Sequence, residues 1–136
     1  MKILFVCRGN VSRSQMAEAY YNHFTNPNDA SSAGVLDSTP LKYGHPAEEV
    51  IQVMKEDGID ISQQVVKFIT KEIVDNADKI FIMCQKEECP DFLLNSNKIT
   101  FWDIADPYDT SLENNRRIRD EVKEHVNKLI KELEHD

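Results

Sequence analysis

A short loop near the N-terminus holds the residue types needed for nucleophilic attack on a tetrahedral oxyanion. Five residues separate Cys7 from Arg13, and Ser14 follows directly. The thiolate is the reactive form of cysteine, and the planar guanidinium of arginine can hold two oxygens of an oxyanion. The positive surroundings favour the thiolate, and the hydroxyl of Ser14 could donate a hydrogen bond to it. The spacing therefore predicts that Cys7 is a nucleophile towards a phosphate-like anion.

The residues between Cys7 and Ser14 suit an anion-binding loop that joins a strand to a helix. Backbone N–H groups of such a loop can converge on an anion at the start of the helix. Gly9 is expected to supply a backbone conformation closed to most residues, and Asn10 tolerates the left-handed region. The predicted oxyanion-binding residues are Arg8, Gly9, Asn10, Val11, Ser12, Arg13 and Ser14.

Each of these residues also has a simpler explanation. A cysteine that ends a buried strand is often an inert small apolar residue, Arg13 could be a solvated helix residue, and Ser14 could be a helix N-cap. The combination at this spacing favours the nucleophile. The loop lacks the spacing and the Lys-Ser/Thr ending of a nucleotide-binding loop, so nucleotide binding is disfavoured.

Strand-like and helix-like segments alternate along the chain. Apolar runs predict strands at 3–6, 30–33, 79–83 and 99–101. Helices are predicted from Ser14, from Pro46 to a stop at Gly58, over 70–76, and after a capping box at 110–113. This alternation is typical of a doubly wound parallel α/β sheet. Cys7, Cys84 and the segment after Phe101 each follow a predicted strand, so they are expected to meet at one edge.

The composition limits the class of protein. The 136 residues fit one domain, 1–136, and 40% of them are hydrophobic. The net charge of −8 disfavours a nucleic-acid or membrane partner, because either surface would repel the chain. The apolar run at the N-terminus is too short for a signal peptide or a membrane span. Three cysteines without such a signal predict reduced thiols in the cytoplasm rather than a disulfide framework.

The segment from Val6 to Ser14 resembles the phosphate loop of the low-molecular-weight protein tyrosine phosphatases and their relatives, the thioredoxin-coupled arsenate reductases. The resemblance extends through segments 32–34, 58–62 and 106–107, which follow in the expected order. It implies a single three-layer α/β domain with a four-stranded parallel sheet. One departure is Ser12, where many relatives carry a second loop cysteine, and this removes one possible disulfide with Cys7.

The resemblance also implies a general acid at Asp106, in the sequence Asp106-Pro107-Tyr108. Attack of a thiolate on a phosphate ester needs a proton for the leaving oxygen, and a nearby carboxylic acid can supply it. Asp-Pro is also an ordinary turn opener, and Asp103 and Asp109 are neighbouring alternatives.

Cys84 and Cys89 distinguish the two branches of the family. In the reductase branch, resemblance implies a thiol relay in which Cys7 is the nucleophile, Cys84 the attacking thiol and Cys89 the resolving thiol. Such exchange requires in-line access of one sulfur to the next and a mobile segment. Alternatively, both are spectator thiols. Half a zinc site is a weaker alternative, because His23, His45, His125 and His135 show no companion spacing.

Other segments divide between the branches. Residues 13–18, 101–102 and 117–121 resemble the reductases. The stretch between Cys84 and Cys89 is shorter than expected for the reductase branch. The aromatic residue Tyr108 after Asp-Pro resembles the phosphatases. The leading prediction is reduction of arsenate to arsenite, regenerated by thioredoxin. The alternatives are hydrolysis of phosphotyrosine or small aryl phosphates, and a non-catalytic oxyanion-binding or redox-sensing module. No metal or cofactor is expected.

Overall fold

Four parallel strands form one sheet in the computed structural model, which describes residues 1–25, 28–36, 44–105 and 111–134. The strands are β1 (Ile3–Cys7), β2 (Ala30–Gly34), β3 (Lys79–Ile82) and β4 (Ile99–Phe101). Their order across the sheet is β2-β1-β3-β4. In register, Ile3 lies opposite both Ala30 and Lys79. The α/β class and the parallel sheet expected from the sequence are confirmed.

The central strand β1 is buried along its whole length because both of its faces are covered. Ile3 and Phe5 belong to one apolar cluster, whereas Leu4 and Val6 belong to another. Side chains alternate between the two faces of a strand, so a strand covered on both sides needs a continuous apolar run. This explains why its sequence has no polar alternation.

Five helices cover the sheet in the described part of the chain. They are α1 (Arg13–Thr25), α2 (Glu48–Glu56), α3 (Lys71–Asn76), α4 (Asp91–Leu94) and α5 (Leu112–Glu134). Helix α5 packs against α1 and α2, and its apolar residues Ile118, Val122 and Val126 lie in the cluster of Ile3. Val74 of α3 and Leu93 of α4 lie in the opposite cluster. The chain is therefore layered as helices, sheet and helices.

The ends of two helices differ from the sequence prediction by one or two residues. Helix α2 has Ala47 as its N-cap, so Pro46 precedes the helix instead of lying in its first turn. At α5 the cap is Ser111, whose Oγ accepts the N–H of Asn114 at 3.2 Å, so the capping box predicted at 110–113 is wrong by one position. The predicted stop at Gly58 is confirmed: its φ is 80°, and its N–H donates to the carbonyl of Lys55.

The segment after β3 contains local structure that the sequence did not predict. A 3₁₀ turn, Lys86–Glu88, is followed by α4, and together they carry the chain from Cys84 to β4. Both elements are too short to show a hydrophobic period. Among the helices in the described ranges, none is long and apolar enough to cross a membrane.

Candidate active site

The thiol of Cys7 ends β1 and is 2% exposed. The backbone N–H of Asn10 donates to its Sγ at 3.2 Å, and Oγ of Ser14 lies 2.9 Å from the same sulfur. A backbone N–H and a hydroxyl at these distances are groups that can donate hydrogen bonds to a sulfur nucleophile. The loop therefore has the contacts that a thiolate nucleophile needs.

Asn10 determines the direction of the Ser14 hydroxyl. Its Oδ1 accepts the backbone N–H of Lys67 at 2.9 Å, which identifies the oxygen end of the amide. Its Nδ2 donates to Oγ of Ser14 at 2.7 Å. A hydroxyl that accepts this bond still has its own hydrogen to donate, so Ser14 can donate to the sulfur of Cys7 when that sulfur is a thiolate.

The left-handed residue of the loop is Asn10, with φ of 56°, and not Gly9. Gly9 is expected from the sequence to supply a backbone conformation closed to most residues. This expectation is wrong, because the φ of Gly9 is not positive. Asparagine is one of the few non-glycine residues that tolerates this region. Here the side-chain hydrogen bonds of Asn10 hold the conformation in place.

The end of β2 supports the loop from the side. The N–H groups of Val35 and Leu36 donate to the carbonyl of Arg8 at 2.9 and 3.0 Å. A Cβ on Gly34 would lie 2.9 Å from the backbone nitrogen of Asn10, closer than real Cβ contacts allow. Gly34 is therefore required, because the backbone of β2 approaches the backbone of the loop too closely for a Cβ. This explains why the segment 32–34 ends in glycine.

A pair of glutamines fixes the loop to a distant segment. Gln15, fully buried, donates through Nε2 to the carbonyl of Asn10 at 3.0 Å and to the carbonyl of Val65 at 3.0 Å. Nε2 of Gln64 donates to Oε1 of Gln15 at 2.6 Å. Neither residue is predicted from the sequence as part of the site. For Gln15 the sequence does carry a signal: it is a polar residue directly after the loop, at the start of a helix that is expected to face the site.

Arg13 holds the ends of two strands together. Its guanidinium is 4% exposed, and Nη1 donates to the carbonyl of Met83 after β3 and, at 2.9 Å, to the carbonyl of Ile104 after β4. The expected convergence of the strand ends is thus observed. A buried guanidinium at this position brings positive charge to the loop, which would stabilise an oxyanion bound there.

An open cleft of about 810 Å³ lies beside the loop. Its walls include Arg8, Arg13, Met83, Cys84, Gln85, Lys86, Glu88, Phe101, Trp102, Asp103, Ile104 and Ala105. Phe101 is 44% exposed, whereas the ring of Trp102 packs on Phe81 with centroids 4.7 Å apart. The cleft has cationic groups and aromatic rings beside the carboxylates of Glu88 and Asp103. The cationic groups and the rings suit an anion with or without an attached ring.

Cys84 and Cys89 lie next to each other beside this cleft. Their Sγ atoms are 3.8 Å apart, and both are free thiols. Burial raises the pKa of the Cys84 thiol, and the neighbouring Cys89 and Cys7 raise it further. Burial also raises the pKa of Cys89. Both thiols are consequently protonated at neutral pH and close enough to join after a small movement.

Ser12 contributes a buried hydroxyl to the loop. It is 8% exposed, and in the described part of the chain its Oγ has no hydrogen-bond partner. A buried unsatisfied hydroxyl is unfavourable, so a ligand oxygen would be a favourable partner.

The predicted residues Asp106, Tyr108 and Asp109 lie outside the described residues. Among those described, no group of three or more His, Cys, Asp or Glu side chains could hold a metal ion.

Comparisons with known proteins agree with this architecture. The family described as low molecular weight phosphotyrosine protein phosphatase matches residues 2–136. An arsenate reductase of Brevibacillus brevis is 33% identical over 129 residues, which cover 93% of this chain and 92% of that protein. An arsenate reductase solved in its phosphate-binding state is 32% identical, with a TM-score of 0.81 and coverage of 97% and 98%. The YwlE arginine phosphatase, a C7S mutant with a phosphorylated active-site serine, is 28% identical, with a TM-score of 0.86 and coverage of 100% and 97%.

Proposed function

This chain belongs to the low molecular weight phosphotyrosine protein phosphatase family, and from that premise we propose that it reduces arsenate to arsenite through Cys7, Cys84 and Cys89. The observation that carries the proposal is the 3.8 Å separation of the Cys84 and Cys89 sulfurs beside the cleft of Arg13. Relatives named as arsenate reductases, similar over more than nine-tenths of this chain, support it.

The first step is attack on arsenate by the thiolate of Cys7. The loop binds the oxyanion with its backbone N–H groups and with Arg13, and the buried hydroxyl of Ser12, which has no hydrogen-bond partner among the described residues, donates to one of its oxygens. The sulfur bonds to arsenic, an arsenic–oxygen bond breaks, and the oxygen leaves as water after taking up protons. On the family resemblance, Asp106 supplies a proton to that oxygen.

The second step is the transfer of electrons to arsenic. The sulfur of Cys84 attacks Sγ of Cys7, a disulfide forms, and the sulfur–arsenic bond breaks with its electron pair on arsenic. Arsenic(V) thereby becomes arsenic(III), and the two sulfurs together lose two electrons. The proton of Cys84 passes to the departing arsenite. Because burial raises the pKa of this thiol, its deprotonation is coupled to the attack.

The third step regenerates the nucleophile. Cys89 attacks Cys84, so that a Cys84–Cys89 disulfide forms and Cys7 leaves as the thiolate, while the proton of Cys89 passes to solvent. A dithiol reductant of the thioredoxin class, present in the cytoplasm, then supplies two electrons and two protons. One relative, from Synechocystis, carries the name glutaredoxin arsenate reductase, so glutaredoxin with glutathione is the alternative reductant to test.

The relay is tested by measuring arsenite formed from arsenate with NADPH, thioredoxin reductase and thioredoxin. Wild type should turn over repeatedly, and Cys7→Ser should form no arsenite. Cys84→Ser and Cys89→Ser should both lose thioredoxin-dependent turnover, although Cys89→Ser can still complete one Cys7–Cys84 disulfide. That disulfide, detected by mass spectrometry after non-reducing proteolysis, separates the two roles. Undiminished turnover in Cys84→Ser would exclude the relay.

Hydrolysis of a phosphate ester through a phosphocysteine on Cys7 is the second candidate. The exposed ring of Phe101 at the cleft favours it, because a flat aromatic leaving group could pack there. Asp106 would protonate the leaving oxygen and then activate water. An aryl phosphate tests this reaction: Cys7→Ser and Asp106→Asn should be inactive, whereas Cys84→Ser and Cys89→Ser should keep wild-type rates. If the protein hydrolyses an aryl phosphate but does not reduce arsenate, hydrolysis is its principal activity.

A further inference from the structure

One carboxylate connects the oxyanion loop to the turn that carries the two other thiols. Oε2 of Glu88 lies 2.8 Å from Nε of Arg8, the residue that directly follows Cys7. Oε1 of Glu88 accepts the backbone N–H of Gln85 at 3.1 Å, directly after Cys84. The side chain of Gln85 in turn accepts the N–H of Glu88, so the turn is closed at both ends.

The closed turn sets the geometry of the sulfur pair. The N–H of Cys89 donates to the carbonyl of Lys86 at 3.1 Å, and Sγ of Cys89 lies 3.5 Å from the carbonyl of Gln85. Cys89 is only 9% exposed in this arrangement. A protein thiol would reach the buried sulfur of Cys89 only after the turn opens, because thiol attack requires access along the sulfur–sulfur axis.

Arg8 is able to change partners. Its backbone is held by the N–H groups of Val35 and Leu36, but its side chain is 51% exposed and lines the same cleft as Arg13. A dianionic oxyanion in the loop carries more negative charge than one carboxylate, and a guanidinium binds tetrahedral oxyanions in a bidentate manner. The oxyanion and Glu88 therefore compete for Arg8.

We propose that Arg8 and Glu88 form an anion-responsive latch, in which Glu88 is a positioning residue for the Cys84–Cys89 turn and a bound oxyanion draws Arg8 away from it. With the latch closed, the turn keeps Cys89 buried and Cys84 partly buried. With an oxyanion bound, the turn loosens and its sulfurs become accessible when the relay needs them. The latch rests on the proposed function only in requiring that the loop bind an oxyanion.

If Arg8 and Glu88 act on the two thiols only through their charge, two perturbations should give results opposite to those that the latch predicts. Burial is the main cause of the raised pKa of both thiols, and the negative charge of Glu88 adds to it. If only charge mattered, removing Arg8 or adding phosphate would make the surroundings more negative and would slow the reaction of these thiols. If the latch operates, both perturbations speed the reaction. The sign of the effect therefore distinguishes the two explanations.

The experiment measures how fast dithiodipyridine modifies Cys84 and Cys89 in the Cys7→Ser protein at neutral pH. Inorganic phosphate should raise the rate saturably. Arg8→Met should raise it without phosphate by about two- to five-fold, the range expected for an exposed ion pair. Arg8→Lys should restore the slow rate, because lysine keeps the charge. Glu88→Gln should be fast and insensitive to phosphate.

Glu87→Gln is the matched control, because Glu87 is the neighbouring acid on the same turn and its charge also raises the pKa of Cys89. An acceleration in Glu87→Gln equal to that in Glu88→Gln, or a slower rate in Arg8→Met, would overturn the latch. Fluorescence of Trp102, the single tryptophan, reports phosphate binding separately. Absence of phosphate binding would overturn the proposed function and the response of the latch to anions, while Arg8→Met would still decide whether the Arg8–Glu88 pair holds the turn closed. Circular dichroism checks that each variant is folded.

Discussion

Oγ of Ser14 lies 2.9 Å from Sγ of Cys7 and accepts a hydrogen bond from Nδ2 of Asn10 at 2.7 Å. The side chain of Asn10 is itself oriented by the N–H of Lys67. Cys7 is thus connected to a chain of hydrogen bonds that begins in a segment far along the sequence. This chain gives definite expectations for single substitutions.

Replacing Ser14 with alanine removes the hydroxyl that contacts the sulfur of Cys7. We expect kcat/KM for arsenate or an aryl phosphate to fall about 10- to 100-fold, as for loss of one hydrogen bond to a charged group. Ser31→Ala, at an exposed position of β2, is the matched control and should leave kcat/KM unchanged.

Asn10 has two roles that a pair of substitutions can separate. Asn10→Gly and Asn10→Ala both remove the side-chain hydrogen bonds and should lower activity to similar extents. Alanine in addition keeps a Cβ at φ of 56°, so Asn10→Ala should be less stable than Asn10→Gly by about 1 kcal/mol. Urea unfolding of the two proteins checks this difference. Equal stabilities would show that the loop can relax out of the left-handed conformation.

Gly34→Ala should disturb the loop more than the fold. The new Cβ would meet backbone atoms of Gly9 and Asn10 at 2.9 Å, which only a shift of the loop can relieve. We expect a loss of stability of about 1–3 kcal/mol, typical of overpacking, together with at least about a 10-fold loss of kcat/KM. Gly58→Ala is the control: its φ is 80°, with nothing within 4 Å of the added Cβ. It should lose stability and keep kcat/KM.

The carboxyl of Glu18, beneath the loop on α1, should make stability depend on pH. Burial raises its pKa, while the charge of Lys67 and the hydroxyl of Ser32 lower it, and the net shift is upward from the ordinary 4.5. The folded state therefore holds this proton more tightly than the unfolded state does. Its contribution to stability is complete below the unfolded pKa and is lost as the pH rises through the folded pKa.

Unfolding by urea at pH values from about 4.5 upwards measures this effect. Glu18→Gln keeps an acceptor for Ser32 but cannot ionise, so its stability relative to wild type should improve as the pH rises. Lys67→Met removes the ammonium 3.9 Å from Glu18 and should make the loss with pH steeper. Adding Lys67→Met to Glu18→Gln should leave no such slope. A pH-independent difference between wild type and Glu18→Gln would contradict the shift.

The parts of the fold that follow from local pattern could be predicted. Strand Ile3–Cys7 is a continuous apolar run, and the last helix carries Ile118, Val122 and Val126 at helical spacing, so period and burial agree. The 3₁₀ turn Lys86–Glu88 and helix Asp91–Leu94 escaped prediction because three or four residues cannot display a period. The cap of the last helix lies one residue after the predicted one because adjacent Thr110 and Ser111 both carry a hydroxyl that can cap a helix.

The amino-acid sequence alone determined the residue types of the oxyanion loop, from Cys7 to Ser14, and the alternation that yields a parallel sheet. Both are local properties, encoded within one turn or one strand. Only the tertiary structure decided that Lys67 orients Asn10, that Gly34 approaches the loop backbone, and that Glu88 pairs with Arg8. These contacts join residues at least 24 positions apart. Their partners are selected by the packing of strands and helices, which leaves no periodic signal in the chain.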